Sequence, residues 1–502
     1  MYKYKFSVII PIYNVENYLR DAIDSVINQN IGFSENIQLI LINDGSKDNS
    51  ESICMEYKEK YPENIIYIKQ ENSGVSSARN TGIKYIDGKY VNFLDGDDKW
   101  NLDVFEKIWN FFENNDVNIV ACRRKYFEAR DDYHVLDYVF EEDRIIDIDK
   151  DYQFIHLHAA STFFKTNVAK EYRFDANLKY GEDAKYVTEI ILDNKKFGVL
   201  RSAEYNYRKR LNETSILQKS FSDIRWYNET IQNFHKQIIQ KSIEKEGKII
   251  PYIQYIIMYD LKGRISKEYP EFMNDTQKTE YKELLLELIK QIDDNIICNQ
   301  KKFYATDKIF VLSLKYGRDI VNELVLKDEK LYFNDLSILS IKNNKSICTP
   351  ENLMILKKKI YIDGNLKLPI PKGLYEIYVE NNGKKYLLAV TEEENEDDIE
   401  KKIFSIGRKK KYKFRFKTVI ELEKQNKISF VFKYKDDKTN ILSINSDDIN
   451  FSYNKRKYKH KISDKEIIVK KITNKLYRLL IKISHKKMID YWQLCNIKIK
   501  YR

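Results

Sequence analysis

The residues best suited to chemistry stand at the ends of short apolar runs. Tyr90–Leu94 is such a run, and it stops at Asp95-Gly96-Asp97-Asp98. Three carboxylates in four residues repel one another and resist desolvation, a cost of order several kcal/mol unless water or a cation relieves it. A hard divalent ion that bridges carboxylates and phosphate oxygens is the natural relief. Taken alone, the cluster also fits an acidic turn before a helix that starts near Asn101. Other polar sets follow other runs: Tyr13-Asn14, Asp44-Gly45-Ser46 and Asn72-Ser73-Gly74. Asn72 and Arg79 flank a Ser-rich helix start, where backbone N–H groups suit phosphate or polar base edges. Glu182-Asp183 precedes the helical run Ala184–Leu192, where acidic residues favour the helix dipole.

Alternating elements must position these residues. Strands are expected at Phe6–Pro11, Gln38–Asn43, Ile65–Lys69 and Tyr90–Leu94, and helices at Glu16–Gln29, Ser50–Lys60 and Val75–Tyr85. This alternation predicts an α/β fold with a mostly parallel, doubly wound sheet, and ligands then bind beyond the carboxyl ends of its strands. The polar sets lie at those ends. Residues 219–330 read as a helical linker, because Tyr227–Ile243, Tyr252–Ile265 and Gln277–Ile292 carry apolar residues at three-and-four spacing. Residues 331–502 read as one or two β-sandwich (Ig-like) modules. Their expected strands are Leu353–Ile362, Gly373–Glu380, Lys385–Val390, Tyr412–Ile420, Lys427–Lys435 and Lys475–Ser484, with hairpin turns at Asp363-Gly364 and Asn382-Gly383. Glu392–Glu400, with seven carboxylates in nine residues, marks a boundary between β units.

Composition narrows the function classes. The chain has 502 residues, enough for about three domains. No run of 18 apolar residues suggests a transmembrane helix, and the N-terminus lacks the pattern of a signal peptide, so a cytoplasmic location is expected. Five scattered cysteines offer neither metal spacing nor a disulfide framework. The net charge of +11 is unevenly placed. Residues 401–502 hold 30 Lys and Arg against 9 Asp and Glu, whereas the first 400 hold 57 against 67. A basic C-terminal module suits an anionic polymer or the inner membrane face. No nucleic-acid-binding signature accompanies it.

Five motifs in order resemble family 2 glycosyltransferases of the GT-A fold, over about residues 1–218. They are Ser7–Asn14, Asn43–Asp48, Asn72–Asn80, Asp95–Asp98 and Gly181–Asp183. The resemblance implies a nucleotide-diphosphate donor, expected to be a UDP-sugar. Pro11, Tyr13 and Asn14 would line its base pocket, Asp44 would accept from the uracil N3–H, and Asn72 and Arg79 would serve the nucleotide. Asp97 would be the direct ligand of Mn²⁺ or Mg²⁺, with Asp95 near the ribose or a metal-bound water and Asp98 in support. Asp183 would be the general base for a single-step, inverting attack. Tyr207–Ile216 resembles a mobile loop in which Arg208, Arg210 and Ser215 reach the diphosphate. It contains no histidine, so the resemblance supplies no third metal ligand.

The order of GT-A domain, helices and β modules is similar to that of enzymes that glycosylate wall teichoic acid or capsule. The expected acceptor is therefore a cell-surface glycan or anionic polymer, and the C-terminal module could also support a homo-oligomer. Arg225-Trp226 is preceded by Ser222 where processive synthases of the family carry Gln, which argues against a polymer-extruding enzyme. A sugar-phosphate nucleotidyltransferase would need a Gly-rich phosphate loop after the first strand, and Ile10–Glu16 lacks one. A non-catalytic glycan-binding scaffold is the remaining alternative; the intact Asp44, Asp97 and Asp183 argue against it.

Overall fold

In the computed structural model the chain divides into two compact units, Met1–Ile296 and Ile297–Arg502. The structure describes residues 2–211, 220–265, 269–327 and 330–340, and beyond them strand segments and short connections between 348 and 483. Ser215, nearly all of Glu392–Glu400 and most of the basic region lie outside the described residues.

The first unit is built on a mixed nine-stranded sheet. Strands β1 (Tyr4–Ile12), β2 (Ile37–Asn43), β3 (Ile65–Lys69) and β4 (Gly88–Phe93) lie side by side in the order β3-β2-β1-β4, all parallel. Helices α1 (Leu19–Ile27), α2 (Phe33–Asn36), α3 (Ser50–Lys60) and α4 (Val75–Ile83) fall between them in the chain. Tyr4, Phe6, Val8, Ile9, Ile10 and Ile12 of β1 are all buried. That is why the strand reads as a continuous apolar run: a central parallel strand is covered on both faces. Helix α1 seals one face with Leu19, Ala22, Ile23 and Val26 at helical spacing.

Past β4 the sheet departs from the parallel expectation. The short β5 (Lys99–Trp100) and helix α5 (Val104–Asn114) lead into β6 (Ile119–Glu128). Further on come β7 (Arg144–Asp147), β8 (Thr162–Lys165), helices α6 (Thr166–Glu171) and α7 (Glu182–Asn194), and the long β9 (Lys196–Lys209). Strand β8 runs antiparallel between β4 and β6, and β9 runs parallel to β6. The helix expected near Asn101 begins at Val104. Tyr207, Arg208 and Lys209, expected in a loop, are instead the last residues of β9, paired with Tyr126, Phe127 and Glu128.

Ser7, Gln38 and Asn92, buried in the sheet, find hydrogen-bond partners. Ser7 Oγ donates to Gln38 Oε1 at 2.5 Å and accepts from Gly88 N–H at 2.8 Å, while Gln38 Nε2 donates to the Tyr85 carbonyl. Gly88 is required there, since a Cβ would meet the backbone of Phe6 and Ser7 at 2.4 Å. Asn92 Nδ2 donates to the Ala160 and Thr162 carbonyls, and Asn92 Oδ1 accepts from the Trp100 indole.

The helices after residue 220 are divided between the units. Lys236–Glu246, Pro251–Arg264 and Asp275–Lys290 fall in the first, whereas Ala305–Tyr316 falls in the second. The first of these, Lys236–Glu246, is bonded to the α/β layers: Lys185 of α7 donates to Gln237, and Asp193 pairs with Lys241 and Lys245. Among the described residues no helix is long and apolar enough to cross a membrane.

The second unit holds antiparallel sheets. Asn382-Gly383 turns a hairpin between Tyr375–Asn381 and Lys384–Leu387, both residues with positive φ. Asp363-Gly364 does not turn. It lies within the strand Lys359–Leu368, opposite Lys417 and Phe416. The expected strand Leu353–Ile362 is split between two: Cys348–Leu356 and Lys359–Leu368 pair with each other. Asp-Gly is a turn signal only where the flanking register asks for a reversal; here flanking strands hold it extended.

Candidate functional site

The carboxyl ends of β1, β2 and β4 bring the polar motifs together. Asp44, just past β2, is buried, and its Oδ1 accepts from Gln70 Nε2 at 2.7 Å and Ser73 N–H at 2.9 Å. Its Oδ2 accepts from Gly74 N–H at 2.9 Å, just before α4. Asp44 thus ties β2 to the segment that starts α4 and keeps acceptor capacity on Oδ2. The Asn72 backbone packs on Gly45, and the Asn72 residue is exposed. The loops after β1 and β2 are zipped reciprocally. Asn14 N–H donates to Ser46 Oγ, Lys47 N–H to Asn14 Oδ1, Glu16 N–H to Asp48 and Asn49 N–H to Glu16. Asn14 takes φ +52°, a conformation Asn tolerates better than most residues. Tyr13 stands out from this frame with 47% of its surface exposed. Pro11 is half-buried in β1, and its carbonyl packs where Gly96 passes without a side chain.

Arg79 is the hub of the site. It projects from α4, is 2% exposed, and its guanidinium faces three carboxylates. Its Nη2 donates to Asp95 Oδ1 at 2.8 Å, and its Nη1 donates to Asp183 Oδ1 at 2.5 Å and lies 3.5 Å from Glu182 Oε1. The Phe174 ring lies 5.0 Å from the guanidinium carbon. Arg79, expected to reach the nucleotide, is therefore occupied in joining the end of β4 to the start of α7. Asp183 Oδ2 accepts from Ala159 N–H at 3.2 Å. Gly181, at φ +87°, supplies the left-handed turn that starts α7 and sets both acids in its first turn.

One guanidinium cannot neutralise three carboxylates, and two of them, Asp95 and Glu182, hold their protons more tightly than usual. Burial lifts the Asp95 carboxyl to about 6, against the pull of Arg79 and with help from Asp183 and Asp97. Burial and the Asp183 charge lift Glu182 to about 7. Burial alone would lower Arg79, but Asp183, Asp95 and Glu182 hold it above its ordinary value.

The other two acids of the cluster diverge. Asp98 is buried and turned inward, accepting from Tyr205 O–H on Oδ2 and Arg208 N–H on Oδ1, both at 2.7 Å. Burial, with Asp97 and Asp95 nearby, holds it well above the usual carboxylate range. Asp97 faces outward, and Arg210 Nη2 donates to its Oδ2 at 2.6 Å. Arg208, expected at the diphosphate, is spent on the scaffold: it donates to the Asp97 carbonyl, Glu128 and Asp21. Ser215 lies outside the described residues.

Among the described residues no three His, Cys, Asp or Glu side chains form a ready cage for a metal. Asp95 and Asp97 nevertheless fit a hard ion. Each is partly exposed and uses one oxygen on an arginine, leaving the other without a hydrogen bond among the described residues. One or two carboxylates completed by donor phosphates and water are a sufficient set for Mg²⁺ or Mn²⁺.

His156 is a packing residue, whereas His158 is half-buried and its Nδ1 accepts from Ser161 N–H. His156 Nε2 lies 2.7 Å from Thr162 Oγ1, and burial pushes its pKa down to about 3. Sequence reasoning missed Gln70, Ala159 N–H and Tyr205. Only Gln70 had a local signal, its place directly after a strand; Tyr205 meets Asp98 across 107 residues.

Comparison with known proteins agrees with this geometry. The family model described as Glycosyl transferase family 2 matches residues 7–173. The minor teichoic acid biosynthesis protein GgaB of Bacillus subtilis is 40% identical over 370 residues, which are 72% of this chain and 41% of that protein. The chain thus spans well under half of that relative's length. The minor teichoic acid biosynthesis protein GgaA of the same organism is 33% identical over 347 residues, which are 67% of this chain and 77% of that protein. The crystal structure of S. aureus TarS superposes with a TM-score of 0.53 at 15% identity, covering 96% of this chain and 97% of that one. A structure of TarS residues 1–349 in complex with UDP-GlcNAc gives 0.51 at 18% identity, covering 66% and 98%. These two likenesses establish the fold, and the match to GgaA over most of its length, with the family motifs gathered at one sheet edge, establishes that the chain belongs to glycosyl transferase family 2.

Proposed function

We propose that the chain is an inverting hexosyl- or N-acetylhexosaminyltransferase. It moves a sugar from a UDP-sugar to a hydroxyl of an anionic, teichoic-acid-type or capsular acceptor, at or near the inner membrane face. One observation carries the reading: Arg79 bridges Asp95 to Asp183, so the strand-end acids and the acid of α7 belong to one site. GgaB and GgaA support the acceptor class, and the UDP-GlcNAc complex of TarS supports the donor.

In this reading Tyr13 stacks on the base, and Asp44 Oδ2 accepts from the uracil N3–H. Asp183 takes the proton of the acceptor hydroxyl as that oxygen attacks the anomeric carbon. The bond from that carbon to the diphosphate oxygen breaks, its electron pair leaves with the nucleotide, and configuration inverts. Mn²⁺ or Mg²⁺, held by Asp97 with Asp95 in support, would offset charge on the departing diphosphate. Arg210 exchanges Asp97 for that diphosphate.

The experiment is a donor panel with Mn²⁺, read as UDP release by the full chain. Asp183→Asn is expected to lower kcat by about 10²–10⁴-fold while UDP still binds. Wild-type protein that binds glycans but turns over no donor would favour a non-catalytic scaffold.

A further inference from the structure

Beyond Asp183 the sheet carries a second group of cations that the transfer reaction does not employ. In the parallel pairing of β6 with β9, Arg124 lies opposite Tyr205 and Tyr126 opposite Tyr207, and alternation puts Lys209 on the same face. Cations on the opposite face are matched by carboxylates. Arg123 pairs with Asp137 at 2.6 Å, and Arg208 with Asp21 and Glu128. Glu128, at φ +76°, turns away from Lys209 to make that pair.

On the first face, neither Arg124 nor Lys209 meets a carboxylate among the described residues. Arg124 Nη2 donates to His134 Nδ1 at 2.9 Å. Lys209 Nζ lies 5.1 Å from the Tyr126 ring centre and 4.7 Å from that of Tyr207. Burial lowers Arg124 with Asp183 among the groups opposing it, and burial with Arg130 and Arg124 lowers Lys209 against the pull of Asp98; an anion seated between the two cations would favour their charged forms further. Two imidazoles add neutral donors. His134 Nδ1 also accepts from Leu136 N–H, and His158 Nδ1 accepts from Ser161 N–H, which leaves the proton of each ring on Nε2. His158 also sits next to Ala159, whose N–H holds Asp183, and its ring lies 5.9 Å from Tyr207.

We propose that Arg124, Lys209, His134 and His158 form an acceptor subsite for a phosphodiester. The acceptor is then a phosphate-linked polyol chain whose hydroxyl reaches Asp183 while a phosphate of its own backbone rests on this group. Tyr126 and Tyr207 flank the site and pack against the polyol carbons. The proposal rests on Asp183 marking the acceptor side, as in the function proposed above.

The test uses the full chain and two probes: a fluorescent glycerol-phosphate hexamer, and UDP with Mn²⁺. Lys209→Gln is expected to weaken hexamer binding about tenfold. Lys209→Arg should restore it to within about twofold, and UDP affinity should stay within about twofold in both variants. A wild-type chain that ignores the hexamer, or hexamer binding indifferent to Lys209→Gln, overturns the subsite. So does a parallel loss of UDP affinity, which would assign these cations to the donor. UDP release by the wild type, measured separately, keeps the two readings apart. A chain that releases UDP but ignores the hexamer loses only the subsite, whereas one that binds the hexamer through Lys209 but releases no UDP loses only the proposed transfer.

Discussion

At the scale of single residues, the site is organised by an arginine that is outnumbered. Arg79 faces Asp95, Glu182 and Asp183, and its buried Nε has no hydrogen-bond partner among the described residues. The unbalanced charge has a sign that can be measured. Glu182 is lifted from an ordinary 4.5 to about 7 in the folded chain, by burial first and by Asp183 second, with Arg79 opposing. A carboxyl whose folded pKa is raised binds more protons folded than unfolded. Its protonated form is therefore favoured by folding below about pH 4.5, and that advantage is lost as pH rises through about 7. Glu182→Gln removes the titrating group. Relative to wild type, the variant should gain about 2–3 kcal/mol in stability between pH 5 and pH 8. Parallel melting curves across that range, with a constant difference between the two proteins, would show that Glu182 does not carry the strain.

At the scale of elements, the carboxyl edge of the parallel strands was legible, because each motif directly follows a buried apolar run and the chain order of strands and helices implies where the runs end. Asp44, Asp95 and Asp97 fall where that pattern puts them. The sequence did not disclose what each side chain would touch. Arg79 is 104 residues from Asp183, and Asp98 is 110 from Arg208. Local signals also misled where a strand continued: the last turn of basic residues in β9 reads as a loop, yet ladder pairing with β6 carries it to Lys209. The clamp between β9 and the acidic turn predicts a role for Tyr205. Its hydroxyl donates to buried Asp98, which also accepts from Arg208 N–H, so Tyr205 fixes the backbone that presents Asp97. Tyr205→Phe leaves one carboxyl oxygen of Asp98 short of a donor and should cost about 1–3 kcal/mol in urea denaturation. UDP release should fall with it, through KM for the metal rather than through UDP binding without metal. Unchanged stability would mean that Asp98 holds the turn without the tyrosine.

At the scale of the whole molecule, charge and fold divide differently. The acidic site and its proposed phosphodiester subsite belong to the unit that ends at Ile296, whereas the excess of Lys and Arg lies in residues 401–502. A polymer that meets the first unit through one repeat and the basic region through others is bound at two places on one chain. The second contact is then intramolecular, and overall affinity rises without any new contact at the active site. A hexamer offers few repeats for a second contact and a long polymer many, so the gain is expected with the long polymer. This separates two contributions that a single affinity would merge. A fragment ending at residue 304 stops before the helix Ala305–Tyr316 and keeps every residue of the site. It should release UDP and bind the glycerol-phosphate hexamer as the full chain does. With a long glycerol-phosphate polymer in low salt, the full chain should bind at least about tenfold more tightly than the fragment, and the advantage should fade as added salt shortens the screening length to about 8 Å near 0.15 M. Equal affinity of fragment and full chain for the long polymer at low salt would leave the basic region without a part in acceptor docking, and the acceptor would then be held by the first unit alone.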